Sequence, residues 1–131
     1  MPISAYLAKA QLDWLTGAAA ATQPSNRWVG LCAGQPTSVS ASELANAQGY
    51  FSRLTALFGA AASPTGSASN TAGMTFGPFS SGGSAVGIVL FDGSPINSSN
   101  MLDYGSLQTV RTYGIGDSLV MAAGALSITR A

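Results

Sequence analysis

The first sixteen residues carry a helical pattern of apolar positions. The apolar side chains recur at spacings of four, three and four residues, which places them on one face of an α-helix: Ile3, Leu7, Ala10 and Trp14. Ser4 is suited to be the N-cap of this helix, and Gly17 is suited to end it. The pattern therefore predicts a helix over 3–16, and we expect its apolar stripe to pack against a sheet.

Beyond residue 26 the pattern changes to short apolar runs that are separated by turn residues. The runs that predict strands lie at 27–33, 50–58, 73–79, 85–91, 101–107, 108–113, 118–122 and 125–130. Two longer polar stretches, 34–48 and 59–72, are predicted to be loops. Short strands at this spacing predict a mainly-β fold, either an antiparallel β-sandwich or a jelly-roll-like barrel, with one short N-terminal α-helix. We expect a single domain over 1–131, with the β-sandwich over 27–131.

Composition adds that the surface is poorly charged. Charged residues make up 8% of the chain and the net charge is zero, whereas soluble domains carry about three times that share of charge. Mean hydropathy is +0.29, yet no apolar run approaches the length of a membrane span. Burial against other protein chains would account for this surplus. The alternative is that abundant Ala and Gly raise hydropathy without forming an apolar patch.

The charged residues give no sign of nucleic-acid binding or of catalysis. The basic side chains never cluster as a nucleic-acid footprint requires: Lys9, Arg27, Arg53, Arg111 and Arg130. The chain has no histidine, which removes the commonest general base and the commonest metal ligand. Asp92 and Asp103 could face each other across a hairpin as glycosidase carboxylates do, but an Asp beside Gly more often stabilises a turn. We therefore predict a non-enzymatic protein without catalytic, cofactor-binding or metal-ligating residues.

Cys32 is the one cysteine and lies in an apolar run, so we expect a buried, inert thiol.

Several ordered motifs resemble a family of small phage proteins that are labelled tail-fibre-like or head-decoration-like. The elements that carry this resemblance are Trp28-Val29-Gly30-Leu31-Cys32-Ala33-Gly34-Gln35-Pro36-Thr37, Gly49-Tyr50-Phe51-Ser52-Arg53, Asn70-Thr71-Ala72-Gly73-Met74-Thr75-Phe76, Val86-Gly87-Ile88-Val89-Leu90-Phe91-Asp92, Tyr104-Gly105-Ser106-Leu107, Gly116-Asp117-Ser118-Leu119 and Ala123-Gly124-Ala125-Leu126-Ser127-Ile128-Thr129. They fall in the family's order and span nearly the whole chain. The resemblance implies a virion component without a known active site.

The place within the virion is open between two hypotheses. The sequence lacks the repeats that build a fibre shaft, which favours a capsid decoration or cement protein that binds itself, as a homotrimer, and the major capsid protein or another virion protein. The alternative is a tail, collar or fibre component that contacts the host surface. The start of the chain lacks the layout of a signal peptide, so we expect assembly in the host cytoplasm. Because the basic residues do not cluster and the apolar runs are short, we expect no nucleic-acid or membrane partner. The predicted interface residues are Tyr6, Leu7, Trp14, Arg27, Arg53 and Arg111.

Overall fold

The architecture is one helix followed by eight strands within the described residues. A computed structural model describes residues 2–20, 23–44, 49–50, 52–62, 66–95 and 99–129. The elements, in chain order, are α1 (Ala5–Thr16), β1 (Arg27–Cys32), β2 (Leu54–Ala56), β3 (Ser67–Ser69), β4 (Met74–Phe76), β5 (Gly83–Phe91), β6 (Met101–Tyr113), β7 (Leu119–Met121) and β8 (Ser127–Thr129).

Both ends of α1 are set by the predicted capping residues. Ser4 is extended and its hydroxyl accepts a hydrogen bond from the Leu7 backbone N–H, while the same hydroxyl donates to the Met101 carbonyl at 2.6 Å. Gly17 adopts a left-handed conformation, with φ at 79°, that glycine reaches without strain. The helix therefore starts two residues after the predicted first position, and its first turn is attached to the start of β6.

The largest sheet has four antiparallel strands in the order β2-β1-β5-β6. Its centre is the pairing of β1 with β5, in which Gly30 lies opposite Val89 and Leu31 opposite Ile88. The last five residues of β5 are all buried. Both faces of this central strand are thus covered, which explains its nearly continuous apolar sequence.

Strand β6 is a single strand where the sequence predicted two, 101–107 and 108–113, and a wide bulge lies near the predicted break. Gly87 pairs with Ser106, but Ala85 pairs with Arg111. The four residues 107–110 therefore stand opposite the single residue Val86. Such a bulge bends the strand away from its ladder and redirects its side chains.

Two small antiparallel ladders complete the fold, β4 with β7 and β3 with β8. Their side chains join the large sheet in one core, in which Phe76 and Leu126 pack with Leu31 and Ile88. Strand β3 lies inside the predicted loop 59–72. The sequence did not predict this strand, because Ser-Ala-Ser has no alternation of apolar and polar residues. The prediction of an antiparallel, mainly-β fold with one short N-terminal helix is confirmed. Within the described ranges the sheets do not close into a barrel.

Candidate interaction surfaces and the buried ion pair

The apolar side chains of α1 are largely exposed. None of the twelve helix residues is buried, and only Leu7 packs against the core. The prediction that the stripe packs against a sheet is therefore wrong beyond the first turn. The last two turns present Leu12, Trp14 and Leu15, which are 60%, 64% and 72% exposed. We call these three side chains the helix patch.

An open groove lies along the second half of β6, whereas α1 is attached at the start of that strand. It encloses a cavity of about 700 Å³, which is within the size range of sites that bury a ligand or a few side chains. Its walls are the bulged part of β6 and the segments 119–122 and 125–127, and the core residues Leu31, Phe76 and Ile88 also line it. Arg111 lines the groove as well and is itself exposed. We call this cavity the side groove.

A buried ion pair joins the segment after β1 to the segment before β2. The Arg53 guanidinium donates from Nη2 to Oε1 of Glu43 at 2.7 Å and from Nε to Oε2 at 2.9 Å. Its Nη1 donates to the Gly93 carbonyl at 2.8 Å, and its Cζ lies over the Phe91 ring, 3.4 Å from the ring centre. The two charged side chains are only 1% and 3% exposed. This bidentate, stacked geometry is the arrangement that a buried arginine needs.

Neighbouring residues complete the surroundings of the Glu43 carboxylate. The Tyr50 hydroxyl donates to Oε2 at 3.0 Å. Burial, and then the nearby negative charge of Glu43, raise the pKa of Tyr50. Gly30 leaves the space that the carboxylate occupies, since a Cβ at that position would lie 2.5 Å from Oε2. Sequence reasoning missed this cluster, although the Tyr50 and Arg53 positions belong to one of the motifs.

The structure places the six predicted interface residues in different environments. Arg53 is engaged inside the chain, so we reassign it from the interface to the core. Tyr6, Leu7 and Trp14 lie on α1, and Arg111 lies at the side groove. Arg27 is half-buried in β1 opposite Ala56. The helix and groove residues thus form two separate surfaces rather than one.

Of the two carboxylates that were weighed as catalytic groups, Asp92 has structural partners, and so has Asp117. Asp92 accepts hydrogen bonds from the backbone N–H of Asn100 at 2.8 Å and from its side-chain amide at 3.0 Å, and so closes the β5–β6 connection. Asp117 accepts from the Gly114 N–H at 2.8 Å in a turn. Asp103 is buried in β6, paired across the ladder with Leu90. Among the residues that the structure describes, no three acidic, cysteine or histidine side chains are grouped as a metal site would require.

A second cavity, of about 450 Å³, has a mixed polar lining. Glu43, Arg53, Phe91 and Asn100 contribute to it, as does the start of α1. The charged groups in its wall already bind each other, so it offers a partner no free charge. Within the described part of the chain, no helix is long and apolar enough to cross a membrane.

Cys32 is fully buried, as predicted, and its thiol lies near the ion pair. Burial is the main cause that raises its pKa from 9.0 to about 12, with a further rise from the charge of Glu43 and a partial offset from Arg53. Because the pKa is higher in the folded chain, the unfolded chain releases this proton first as the pH rises. The stability linked to Cys32 is therefore complete below pH 9 and is lost between pH 9 and about 12.

We expect the free energy of unfolding of the wild type to fall by about 1 kcal/mol more than that of a Cys32→Ala variant between pH 8 and pH 10. Urea unfolding at both pH values measures this difference. Tyr50 is present in both proteins and cancels from the comparison. Equal falls in the two proteins would show that the thiol does not titrate differently in the folded and unfolded states.

Comparison with known proteins agrees with the motif resemblance. A search of curated proteins gave no match. A family model described as "Podophage GP4 fiber I protein gp80" matches residues 2–129, which is almost the entire chain and includes every motif quoted above. The head-decoration label of the resemblance has no counterpart in this description. With a match of this extent over a β-rich fold, the chain belongs to the podophage GP4 fiber I protein gp80 family of phage virion proteins.

Proposed function

We propose that this protein is a non-enzymatic building unit of a phage fibre, and that it acts by associating with copies of itself and with another virion protein. The family description names a fibre protein. The observation that carries the mode of action is the exposure of the helix patch, in which Trp14 is 64% and Leu15 is 72% exposed. Several large apolar side chains left exposed at one end of a helix are typical of contacts with other proteins.

The sparse charge of the chain supports a permanent contact. Ten charged residues are spread over 131 positions, and four of them are consumed by the Lys9–Asp13 and Arg53–Glu43 pairs within the chain. Interfaces that persist are depleted in charge at their centre and rich in apolar and aromatic groups. A homotrimer with closed symmetry would satisfy every such surface. Assembly in the host cytoplasm and a final place in the virion complete the proposal.

Capsid decoration is the second candidate, because the sequence lacks the repeats from which fibre shafts are built. The two candidates differ in copy number and in position on the particle. A decoration protein covers the shell and contacts the major capsid protein, whereas a fibre unit is present at a few attachment points.

Quantitative mass analysis of purified virions, combined with antibody labelling in the electron microscope, separates these candidates. We expect a few dozen copies or fewer, with the label on the fibres. Hundreds of copies with label over the head would replace the fibre proposal by capsid decoration. Absence of the protein from washed particles would overturn both.

A further inference from the structure

We infer that the helix patch of one copy inserts into the side groove of a second copy. This inference rests on the self-association in the proposed function and specifies which surfaces meet. The helix patch presents exposed apolar side chains at the end of α1. The side groove is a concave site of about 700 Å³ whose lining combines polar residues such as Gln108 with core residues such as Phe76 and Ile88. Insertion would remove the apolar side chains of the helix patch from water and fill the open cavity, and both changes would stabilise the complex.

Charge fits the same pairing. Arg111 is the charged residue among those that line the side groove. The end of α1 that carries Trp14 is the negative end of the helix dipole. The Asp13 carboxylate beside it is paired with Lys9, so the helix dipole supplies the negative charge at this end. An inserted helix end thus brings partial negative charge toward the positive rim of the groove.

Insertion into the groove of the same chain is prevented by the attachment of α1. The Ser4 N–H donates to the Leu102 carbonyl, Ile3 bridges Asp103, and the Tyr104 N–H donates to the Pro2 carbonyl. These contacts hold the start of the helix at the beginning of β6, whereas the groove begins at Ser106. None of the α1 residues lines the groove of its own chain.

The structure also disfavours the two symmetric alternatives. A helix of twelve residues is too short to hold copies together as a coiled coil. Pairing of β6 with β6 needs a regular strand edge, and the bulge over 107–110 removes that regularity from the exposed half of the strand. Helix into groove is a heterologous contact, so each copy uses one surface of each kind. Three copies then close into a ring if the rotation between neighbours is a third of a turn, and other rotations continue as a filament.

Mixing two interface variants tests this inference. The helix variant is Trp14→Ser/Leu15→Ser, and the groove variant is Thr109→Glu/Val120→Glu, whose positions are exposed and line the groove. The mass of each in solution is measured by light scattering after size-exclusion chromatography, with circular dichroism to verify folding. We expect the wild type to be oligomeric and each variant alone to be monomeric. A one-to-one mixture should form dimers, because one intact helix and one intact groove remain in each pair.

The matched control is Ile115→Ser, which removes an exposed apolar side chain (79% exposed) outside both surfaces and should leave the oligomer unchanged. A groove variant that assembles like the wild type would overturn the inference in favour of contacts between helices. A helix variant that assembles would place the contact elsewhere, and so would a mixture without dimers. A monomeric wild type would overturn the inference and the self-association, while the virion labelling would still decide whether the protein belongs to the fibre.

The positive rim gives a finer test of the same pairing. We expect Arg111→Gln to weaken assembly of the wild type about twofold to fivefold, as loss of a rim charge contact does. Lowering the salt concentration should enlarge the difference between the two proteins. Equal dissociation constants for Arg111→Gln and the wild type at low salt would contradict the charge contact.

Discussion

Replacement of Arg53 by methionine is expected to destabilise the protein by about 3–5 kcal/mol, which is the usual cost of leaving one member of a buried ion pair without its partner. Methionine fills much of the same volume, so the loss is mainly electrostatic. The Glu43 carboxylate would keep the Tyr50 hydrogen bond but lose both of its contacts to the guanidinium. The Gly93 carbonyl would lose its donor as well. Urea unfolding monitored by circular dichroism measures the change.

The double variant Glu43→Met/Arg53→Met is the control for this prediction. It removes both charges, so no uncompensated charge remains buried, and we expect it to recover most of the lost stability. The cycle of two single variants and the double variant then yields the coupling between the two side chains. If the single Arg53 variant were no less stable than the double variant, the guanidinium would not be neutralising a buried charge.

Replacement of Asn70 by alanine is expected to cost about 1–3 kcal/mol, because it leaves three backbone groups without their partners, and the N–H of Leu126 among them is buried. The Asn70 amide donates to the carbonyls of Ala72 at 2.9 Å and Ala122 at 3.1 Å. Its oxygen accepts from the Leu126 N–H at 2.9 Å. Asn70 is 2% exposed and its bond to the Leu126 N–H is buried, so water does not replace that bond in the folded chain.

Two further variants make the Asn70 prediction specific. Asn70→Asp keeps the volume but turns carboxylate oxygens toward two carbonyls, and we expect it to be at least as destabilised as the alanine variant. Thr71→Ala changes the exposed neighbour and should stay within about 0.5 kcal/mol of the wild type. Because Ala122 and Leu126 line the side groove, hydrogen exchange at the Leu126 amide should rise in Asn70→Ala. Unchanged exchange there would show that Asn70 does not hold this wall.

Local signals in the sequence were enough to predict the elements other than β3. The helix ends at Ser4 and Gly17 depend on chemistry within a few residues, and the apolar runs of β1 and β5 have the length and composition of buried strands. The break expected after residue 107 marked a real irregularity, the bulge, but the ladder resumes beyond it. A run of residues cannot reveal that pairing resumes, since this depends on the partner strand.

Long-range contacts explain what sequence reasoning could not supply. Glu43 lies in a predicted loop, and no periodicity in the sequence predicts its ion pair with Arg53, ten residues later. The sequence pattern of an apolar helical stripe is the same whether its own sheet or another copy covers it. The exposure of Trp14 was therefore unexpected. The side groove forms between segments that are distant in sequence, and only Arg111 among its residues had been predicted as an interface residue.

The fold explains why particular residues occupy some of the motif positions. Gly49 has φ at 77°, and a Cβ there would lie 2.6 Å from the backbone nitrogen of Ser81, so both the conformation and the space require glycine. In the same motif Arg53 supplies the buried charge, and in another motif Asn70 supplies the buried hydrogen bonds. These positions are constrained by folding, whereas the helix patch is not, since its side chains contact little within the chain.

The bulge in β6 separates what the fold needs from what a partner contacts. The pairs on either side of it, Gly87 with Ser106 and Ala85 with Arg111, keep the ladder in place whatever the length of the segment between them. Leu107 packs against the core, but the exposed residues 108–110 can be exchanged with little effect on it, while the shape of the groove changes directly. This segment is a natural position for altering partner choice, and a library confined to it would vary recognition on a constant scaffold.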